Sequence, residues 1–419
     1  MQNTSVHQLF RIKKRHALQK PFRQLSFRSS DSTHEPRVAI IGTRGYPSYY
    51  GGFETAVRHI APHLADEGWD VTVYGRPGQQ HPDDPAIDGR ITRRVTWGVE
   101  TRSLSTLTYG LTAVLDTIHR RPDVALVMNC ANGLWLPLLH LTGIPAVVNV
   151  DGIEWEREKW GRLAKFVFKT GARMTARFAD RLVFDADAIG DYWRREFGAT
   201  GVMIPYGGNE PTMLPLHADD AHLHSTPFAL MVARFVPENT VPEFLSAAER
   251  IAEQYPVVLV GSSGYGGDLD DRARALAAEH SNVHWVGHIA DDERLFALWQ
   301  RAGAYFHGHS VGGTNPALVQ AMHCGAPTVA RDTVYNREVL AGTSARFVRP
   351  DPHAIADNVI AMLEDPDEQH TIREQVLDRA RTAYTWTGVC SAYARAISDQ
   401  AGIERTQNRA QAERQQVTA

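Results

Sequence analysis

Cysteine is scarce in this chain. Cys130, Cys324 and Cys390 are widely separated and form no Cys-x-x-Cys pair, which argues against a disulfide-framed scaffold and against a thiolate metal site. Long apolar runs are missing as well, none approaching the roughly 18 residues that a membrane-spanning helix needs. The first 30 residues contain no acidic side chain and no apolar stretch of the kind that defines a secretory signal. Together these absences lead to the expectation of a reducing cytoplasm. A net charge of -4 with 43% hydrophobic residues is an ordinary globular balance, without a global nucleic-acid signature. Absent too is the Gly-x-Gly-x-x-Gly spacing of a dinucleotide fold. Gly42-Thr43-Arg44-Gly45 stands in its place, and Val71-Thr72-Val73-Tyr74-Gly75 does not end on an acid that would hold a ribose.

Alternating strands and helices are plentiful. With 419 residues the chain can bury two cores, because single domains mostly run to about 100–200 residues. Arg37-Val38-Ala39-Ile40-Ile41 reads as a first strand, followed by a loop and a helix with Val57, Ile60 and Leu64 on one face, in which Pro62 is expected to introduce a kink. Further buried strands fall at 123–128 and 146–150. The second of these ends at Asp151-Gly152-Ile153-Glu154-Trp155. Ligand-facing groups collect at the carboxyl ends of strands in open α/β sheets, which makes Asp151 and Glu154 candidates, although Asp151 also suits a helix cap. Residues 157–181 form a cationic amphipathic helix, with Lys159, Arg162, Lys165, Lys169, Arg173 and Arg177 at three- and four-residue steps and Trp160, Leu163, Val167 and Met174 between them. It suits either a sheet-packed, solvated helix or the surface of an anionic bilayer. Asp185-Ala186-Asp187 has the form of a metal-binding Asp-x-Asp, but Asp187 is well explained as an N-cap. Residues 211–227, rich in Pro, His and Ser, read as a linker to a second α/β domain starting at Phe228.

The organising stretch is Gly308-His309-Ser310-Val311-Gly312-Gly313-Thr314-Asn315-Pro316, which leads into a helix. Pro316 is pre-set for the first helical turn, Thr314 and Asn315 offer cap side chains, and the glycines allow close backbone approach. Such a turn is an anion cradle suited to phosphate, or else an ordinary capped turn between strand and helix. Gly51-Gly52 ahead of Phe53-Glu54-Thr55 supplies a second flexible turn, in the first domain.

Gly-Gly-Thr-Asn-Pro-x-Leu-x-Gln-Ala-Met-x-Cys-Gly-x-Pro resembles the donor-binding signature of retaining GT-B glycosyltransferases of family 4, and Gly-Thr-Arg-Gly-x-Pro-x-x-Tyr-Gly-Gly-Phe-Glu-Thr with Asp-Gly-x-Glu-Trp resembles a branch of bacterial rhamnosyltransferases. The fold implied is α/β, two Rossmann-like doubly wound parallel-sheet domains facing a cleft. The divisions expected are a disordered basic tail over 1–36, an acceptor-side domain over 37–210, the linker, a nucleotide-sugar domain over 228–384, a helix crossing back over 385–400 and a disordered tail over 401–419. The resemblance implies that Arg234, Asn239, Gly51, Gly52, Gly287, His288, Ile289, Gly312, Gly313, Thr314, Asn315 and Gln320 meet the donor. It places Asp151, Glu54 and Glu154 on the acceptor side, with Asp151 and Arg234 closest to the chemistry. The family carries glutamates where this chain has Gly312 and Gln320, and a lysine where it has Asn239. The implied reaction is metal-independent transfer from a nucleotide-diphosphate sugar to a lipid-linked glycan or oligosaccharide acceptor at an anionic membrane surface, without nucleic acid. The alternatives are a non-catalytic nucleotide-sugar or glycan-binding scaffold, and a nucleotide-sugar epimerase of the same architecture.

Overall fold

The computed structural model describes residues 35–49, 51–78, 83–100, 105–157, 161–224, 226–264 and 266–403. The basic tail, Lys159 and Trp160, and the stretch from 404 onward lie outside the described residues.

The first sheet takes its strands from β1 (Arg37–Ile41), β2 (Asp70–Gly75), β3 (Thr92–Val95), β4 (Val124–Met128), β5 (Ala146–Asn149), β6 (Arg181–Phe184) and β7 (Val202–Met203). Its order is β3-β2-β1-β4-β5-β6-β7, and every pairing is parallel. The helices α1 (Gly52–Asp66), α2 (Ser105–Arg120), α3 (Leu136–Thr142), α4 (Arg162–Phe178) and α5 (Asp187–Phe197) connect them. Strands of a parallel sheet covered on both faces are apolar throughout, and β4 is buried at every residue. The expected face of α1 is the buried one, with Val57, Ile60 and Leu64 each fully covered. The helix runs through Pro62 without ending there.

The second sheet, in the order β10-β9-β8-β11-β12-β13, is parallel as well. Its strands are β8 (Ala229–Val232), β9 (Val257–Val260), β10 (Val283–Gly287), β11 (Ala304–His307), β12 (Thr328–Arg331) and β13 (Arg346–Val348). Between and after them run α6 (Val241–Ile251), α7 (Asp268–Glu279), α8 (Asp292–Arg301), α9 (Pro316–His323), α10 (Val334–Val339), α11 (Pro352–Leu363), α12 (Pro366–Ala383) and α13 (Trp386–Ala401). The segment 211–227 is not a free connector. Leu216 and Leu223 enter the second core, and buried Asp220 takes a two-pronged hydrogen bond from Arg294 at 2.7 and 2.9 Å.

Two chain crossings join the sheets and are bonded to each other. Gly208 donates its N–H to the Tyr384 carbonyl at 2.9 Å and bridges Thr385 in parallel. Beyond this point α13 packs in the first core, where Val389, Tyr393 and Ile397 meet α1 and the sheet. Asn149 donates from Nδ2 to the Tyr393 hydroxyl at 2.6 Å, both groups being buried. No helix among the described residues is long and apolar enough to cross a membrane.

Replacing Tyr393 by Phe leaves the Asn149 amide without its acceptor, and a buried polar group deprived of its partner costs about 1–3 kcal/mol. Chemical denaturation of Tyr393→Phe is expected to show a loss of that size with an unchanged denaturant slope. A loss below about 0.5 kcal/mol would mean that water serves Asn149 equally well.

Candidate functional site

The carboxyl ends of both sheets meet at one place. The strand β11 runs into Gly308, and the turn that follows reaches across to the first domain. Gly312 has φ +106, a conformation that favours glycine. A Cβ on Gly152 would come within 3.2 Å of the Gly312 Cα, and a Cβ on Gly313 would lie 2.1 Å from Oδ1 of Asp185. Thr314 is buried and donates both its N–H and its hydroxyl to the Asp185 carbonyl. The close approach that these glycines permit is therefore, in this structure, the approach of the other domain. Asn315 caps α9 as expected, accepting from the Ala317 N–H at 3.0 Å. In the first domain, Gly51 precedes α1, and a Cβ on Gly52 would meet the Tyr206 hydroxyl at 3.2 Å and Pro316 at 3.4 Å.

Cations approach this turn from both sides. Arg234 follows β8 and is exposed, while Nη2 of Arg157, from the first domain, would lie 3.4 Å from a Gly152 Cβ. Both act on His309, whose pKa falls to about 4, mainly through burial and then through these two charges. The His309 ring stacks on that of His307 with centroids 4.5 Å apart. His307 is fully buried, meets the Tyr305 hydroxyl through Nδ1 at 2.9 Å and is held neutral by burial. In the sequence His307 and His309 read either as ordinary polar loop residues or as catalytic ones, and Arg157 carries no mark there as a ligand contact. A three-residue alternation, Tyr305, His307 and His309, was the available signal.

The carboxylates sort differently from expectation. Asp151, at the end of β5, adopts φ +64 and accepts from Nδ2 of Asn129 at 2.9 Å, while its N–H bonds the Asn149 side chain at 2.9 Å. Glu154 is buried and ion-paired to Nε of Arg157 at 2.8 Å, and Glu54 is buried and accepts from the Arg44 N–H at 3.0 Å. Both of these acids, expected to face an acceptor, hold loops of their own domain together. Asp187 is not the N-cap of α5. That place falls to Ala186, and the N–H groups of Asp187 and Ala188 donate instead to the carboxylate of Glu338 on α10, at 2.6 and 3.1 Å. A carboxylate at a helix N-terminus is favoured by the exposed N–H groups and the helix dipole, and here it arrives from the other domain.

Two residues expected on the donor have partners inside the protein. Gln320 exchanges hydrogen bonds with the Asn209 backbone, accepting from its N–H at 2.9 Å and donating to its carbonyl at 2.7 Å. Asn239 is buried and donates to the Arg234 carbonyl at 3.0 Å, which closes the loop that carries that arginine. At the end of β10, Gly287 has φ +69 and His288 is exposed, whereas Ile289 belongs to the core.

Asp185 is the most perturbed acid at the contact. It is buried, its Oδ1 has no hydrogen-bond partner among the described residues, and burial, reinforced by Asp151 and then Glu338, pushes its pKa up to about 7, with Arg157 opposing. Its charged form is thus disfavoured where the domains touch.

The chain matches two families in tandem, Glycosyl transferase 4-like domain over residues 51–207 and Glycosyl transferases group 1 over residues 216–379. The fold is that of solved GT-B proteins. A sucrose-phosphate synthase from Thermosynechococcus elongatus superposes with a TM-score of 0.72 at 20% identity, covering 87% of this chain and 98% of that one. Anabaena HepE in complex with UDP superposes at 0.67 and 16% identity over 87% of this chain and 100% of that one. The HepE complex with UDP-glucose superposes at 0.66 and 15% identity over 87% and 99%. Among curated proteins, the O-antigen chain mannosyltransferase B of Escherichia coli is 23% identical over 165 residues, which span 38% of this chain and 42% of that protein. The two matched stretches, 51–207 and 216–379, lie on the two facing sheets of a GT-B fold.

Overpacking a close contact costs about 1–3 kcal/mol. Gly313→Ala is expected to destabilise the protein by that amount, and Asp185→Gly in the same chain to recover most of the loss, as read by a double-mutant cycle of thermal unfolding. Independent, additive effects would show that the two residues do not meet. The pH response has a fixed sign. A carboxyl raised from the ordinary range to about 7 binds a proton in the folded chain that the unfolded chain has released. Wild type should therefore lose stability relative to Asp185→Asn as pH rises from about 4 to about 7, with no further change above.

Proposed function

We propose that the protein is a retaining, metal-independent glycosyltransferase that moves a hexose or deoxyhexose, rhamnose being the sugar the sequence resemblance favours, from a nucleotide-diphosphate donor to a lipid-linked glycan in surface-polysaccharide synthesis. The observation that carries this reading is the convergence of Arg234, Arg157 and the Asn315-capped start of α9 on one glycine turn between two glycosyltransferase domains. Departure of a nucleoside diphosphate leaves negative charge on its oxygens and positive charge on the anomeric carbon. Guanidinium groups and helix N–H groups neutralise the first without further chemistry. Neutral His309, beside Arg234, supplies a hydrogen bond at the same place. Retention then follows from front-face attack, with the acceptor hydroxyl losing its proton to a donor phosphate oxygen and Asp151 orienting the acceptor. Anabaena HepE, of the same fold, was solved with UDP and with UDP-glucose, which supports a uridine diphosphate sugar as first candidate, beside the thymidine diphosphate sugar that the sequence resemblance suggests.

A second reading, a nucleotide-sugar-binding scaffold without turnover, draws on one observation: Gln320 and Asn239 spend their amides on the chain's own backbone. Calorimetric titration with a panel of nucleotide sugars decides whether there is a donor. Saturable binding of one of them, weakened about tenfold or more in Arg234→Ala, which removes a charge-assisted contact, is the expected result. An absence of binding at millimolar concentration would end the transferase reading. Turnover that rises in Gln320→Glu would then set the transferase apart from the scaffold.

Membrane contact is the remaining part of the proposal. The exposed side of α4 presents Leu163 and Phe166, 77% and 64% exposed, beside Arg162, Arg173 and Arg177, a pairing of apolar and cationic groups suited to an anionic bilayer surface. Co-sedimentation with vesicles containing anionic phospholipid should fall several-fold in a Leu163→Glu, Phe166→Glu double variant. Equal sedimentation of both proteins would remove α4 from the membrane.

A further inference from the structure

The hydrogen-bond donors that a diphosphate would use on the glycine turn are already engaged. Thr314 gives its N–H to the Asp185 carbonyl at 3.3 Å and its hydroxyl to the same oxygen. The Ala317 N–H, in the first turn of α9, bonds the Asn315 side chain at 3.0 Å. The amides of Gln320 and Asn239 are given to the carbonyls of Asn209 and Arg234. Asp185 differs from the other acceptors around the turn, because it follows β6 directly and so belongs to the opposite sheet. Gly312 and Gly313 complete the seating, since without side chains the turn lies directly on Gly152 and on the Asp185 carboxyl.

Opposing interactions meet at this contact. In its favour, the Glu338 carboxylate accepts from the Asp187 and Ala188 N–H groups at 2.6 and 3.1 Å, one domain to the other. Against it, Asp185 is 4% exposed and its Oδ1 has no hydrogen-bond partner among the described residues. Burying a polar atom without a partner is unfavourable, and Asp151 and Glu338 add like charge, with Arg157 opposing. A packed contact with such offsetting parts has two arrangements of similar free energy, and a ligand that fits one of them shifts the population toward it. We propose that the seating of the turn on Asp185 is an autoinhibitory latch: in the closed arrangement the first domain takes the place of the donor diphosphate, and a nucleotide sugar binds only when the turn has left Asp185. The latch rests on the transferase reading above. Arg157 and Arg234, on long side chains, still reach a diphosphate seated between the parted domains. The first movement on donor binding is thus an opening, the reverse of a lid closing over its ligand.

The test uses the full-length protein, with UDP and thymidine diphosphate as probes. A Cβ on Gly313 would overlap the Asp185 carboxyl, which puts the two Cβ positions within reach of a disulfide. An Asp185→Cys, Gly313→Cys double variant can therefore be locked by oxidation and freed by reduction. Calorimetric titration is expected to show the diphosphates binding the oxidised form about tenfold or more weakly than the reduced form, because apparent affinity scales with the fraction of competent protein. Glu338→Ala loosens the latch away from the glycine turn. It should bind the diphosphates several-fold more tightly than wild type does, and melt at a lower temperature. In small-angle scattering, wild type should have a larger radius of gyration with saturating diphosphate than without.

Equal affinity in the oxidised and reduced forms would overturn the latch. So would a radius of gyration that falls on binding, or Glu338→Ala binding no more tightly than wild type. If the added cysteine abolishes binding even in the reduced form, Glu338→Ala and the scattering decide by the same outcomes. If wild type binds neither diphosphate nor any nucleotide sugar, it is the transferase reading that fails, and the latch fails with it.

Discussion

Everything at the cleft depends on one close contact, the seating of the Gly312–Thr314 turn on Asp185. Two parallel sheets present their carboxyl ends to each other there, and strand ends are where loops, helix N-termini and polar side chains concentrate. Such surfaces ordinarily keep a layer of side chains between them. Here Gly312 and Gly313 put no side chain between the domains, and the hydroxyl and N–H of Thr314 reach the backbone of the opposite domain. Every other cross-domain interaction described above, including the Glu338 cap and the Gln320 pairing with Asn209, requires the domains to stand this close.

The contact also arranges charge. Asp151, Asp185 and Glu338 bring three acids to the contact, and Arg157 and Arg234 bring two cations to it. In a region from which water is excluded, such charges act on one another more strongly than they would at the surface. The outcome is uneven. Glu338 gains two backbone N–H groups, whereas Asp185 keeps an oxygen with none among the described residues. A site of this kind is adjusted by whatever next enters it, because a new charge or hydrogen-bond donor changes the balance among groups that are already only partly satisfied.

Local pattern was legible in the amino-acid sequence wherever one short segment contained the whole cause. The period of Val57, Ile60 and Leu64 defines the inner face of α1, the apolar run at 124–128 defines a strand buried on both faces, and Asn315-Pro316 defines the start of α9. The glycine turn ahead of α9 and the cation after β8 could also be located from short segments alone. What could not be read were partners distant along the chain. Glu338 caps a helix 151 residues earlier, Gln320 bonds a backbone 111 residues away, and Asp185 meets Thr314 across 129. Glu54 and Glu154 show the same limit from the other side. Their position at strand and loop ends matched a ligand-facing acid, and only the packed chain shows Arg44 and Arg157 already holding them. Residues 211–227 had the composition of a linker, but a salt-bridged aspartate and two leucines sufficed to fold them into the second domain.

The return of α13 to the first core has a consequence for how the protein is made. Asn149 and Tyr393 are 244 residues apart, so the first domain, once synthesised, waits until the whole second domain has followed before its apolar trough along α1 is filled. Until then that trough is open to water, to chaperones and to other nascent chains. A polypeptide cut short before Trp386 would carry the defect permanently, with a finished second domain and an uncovered first. The fold thereby makes the covering of its first core depend on a helix made after its second.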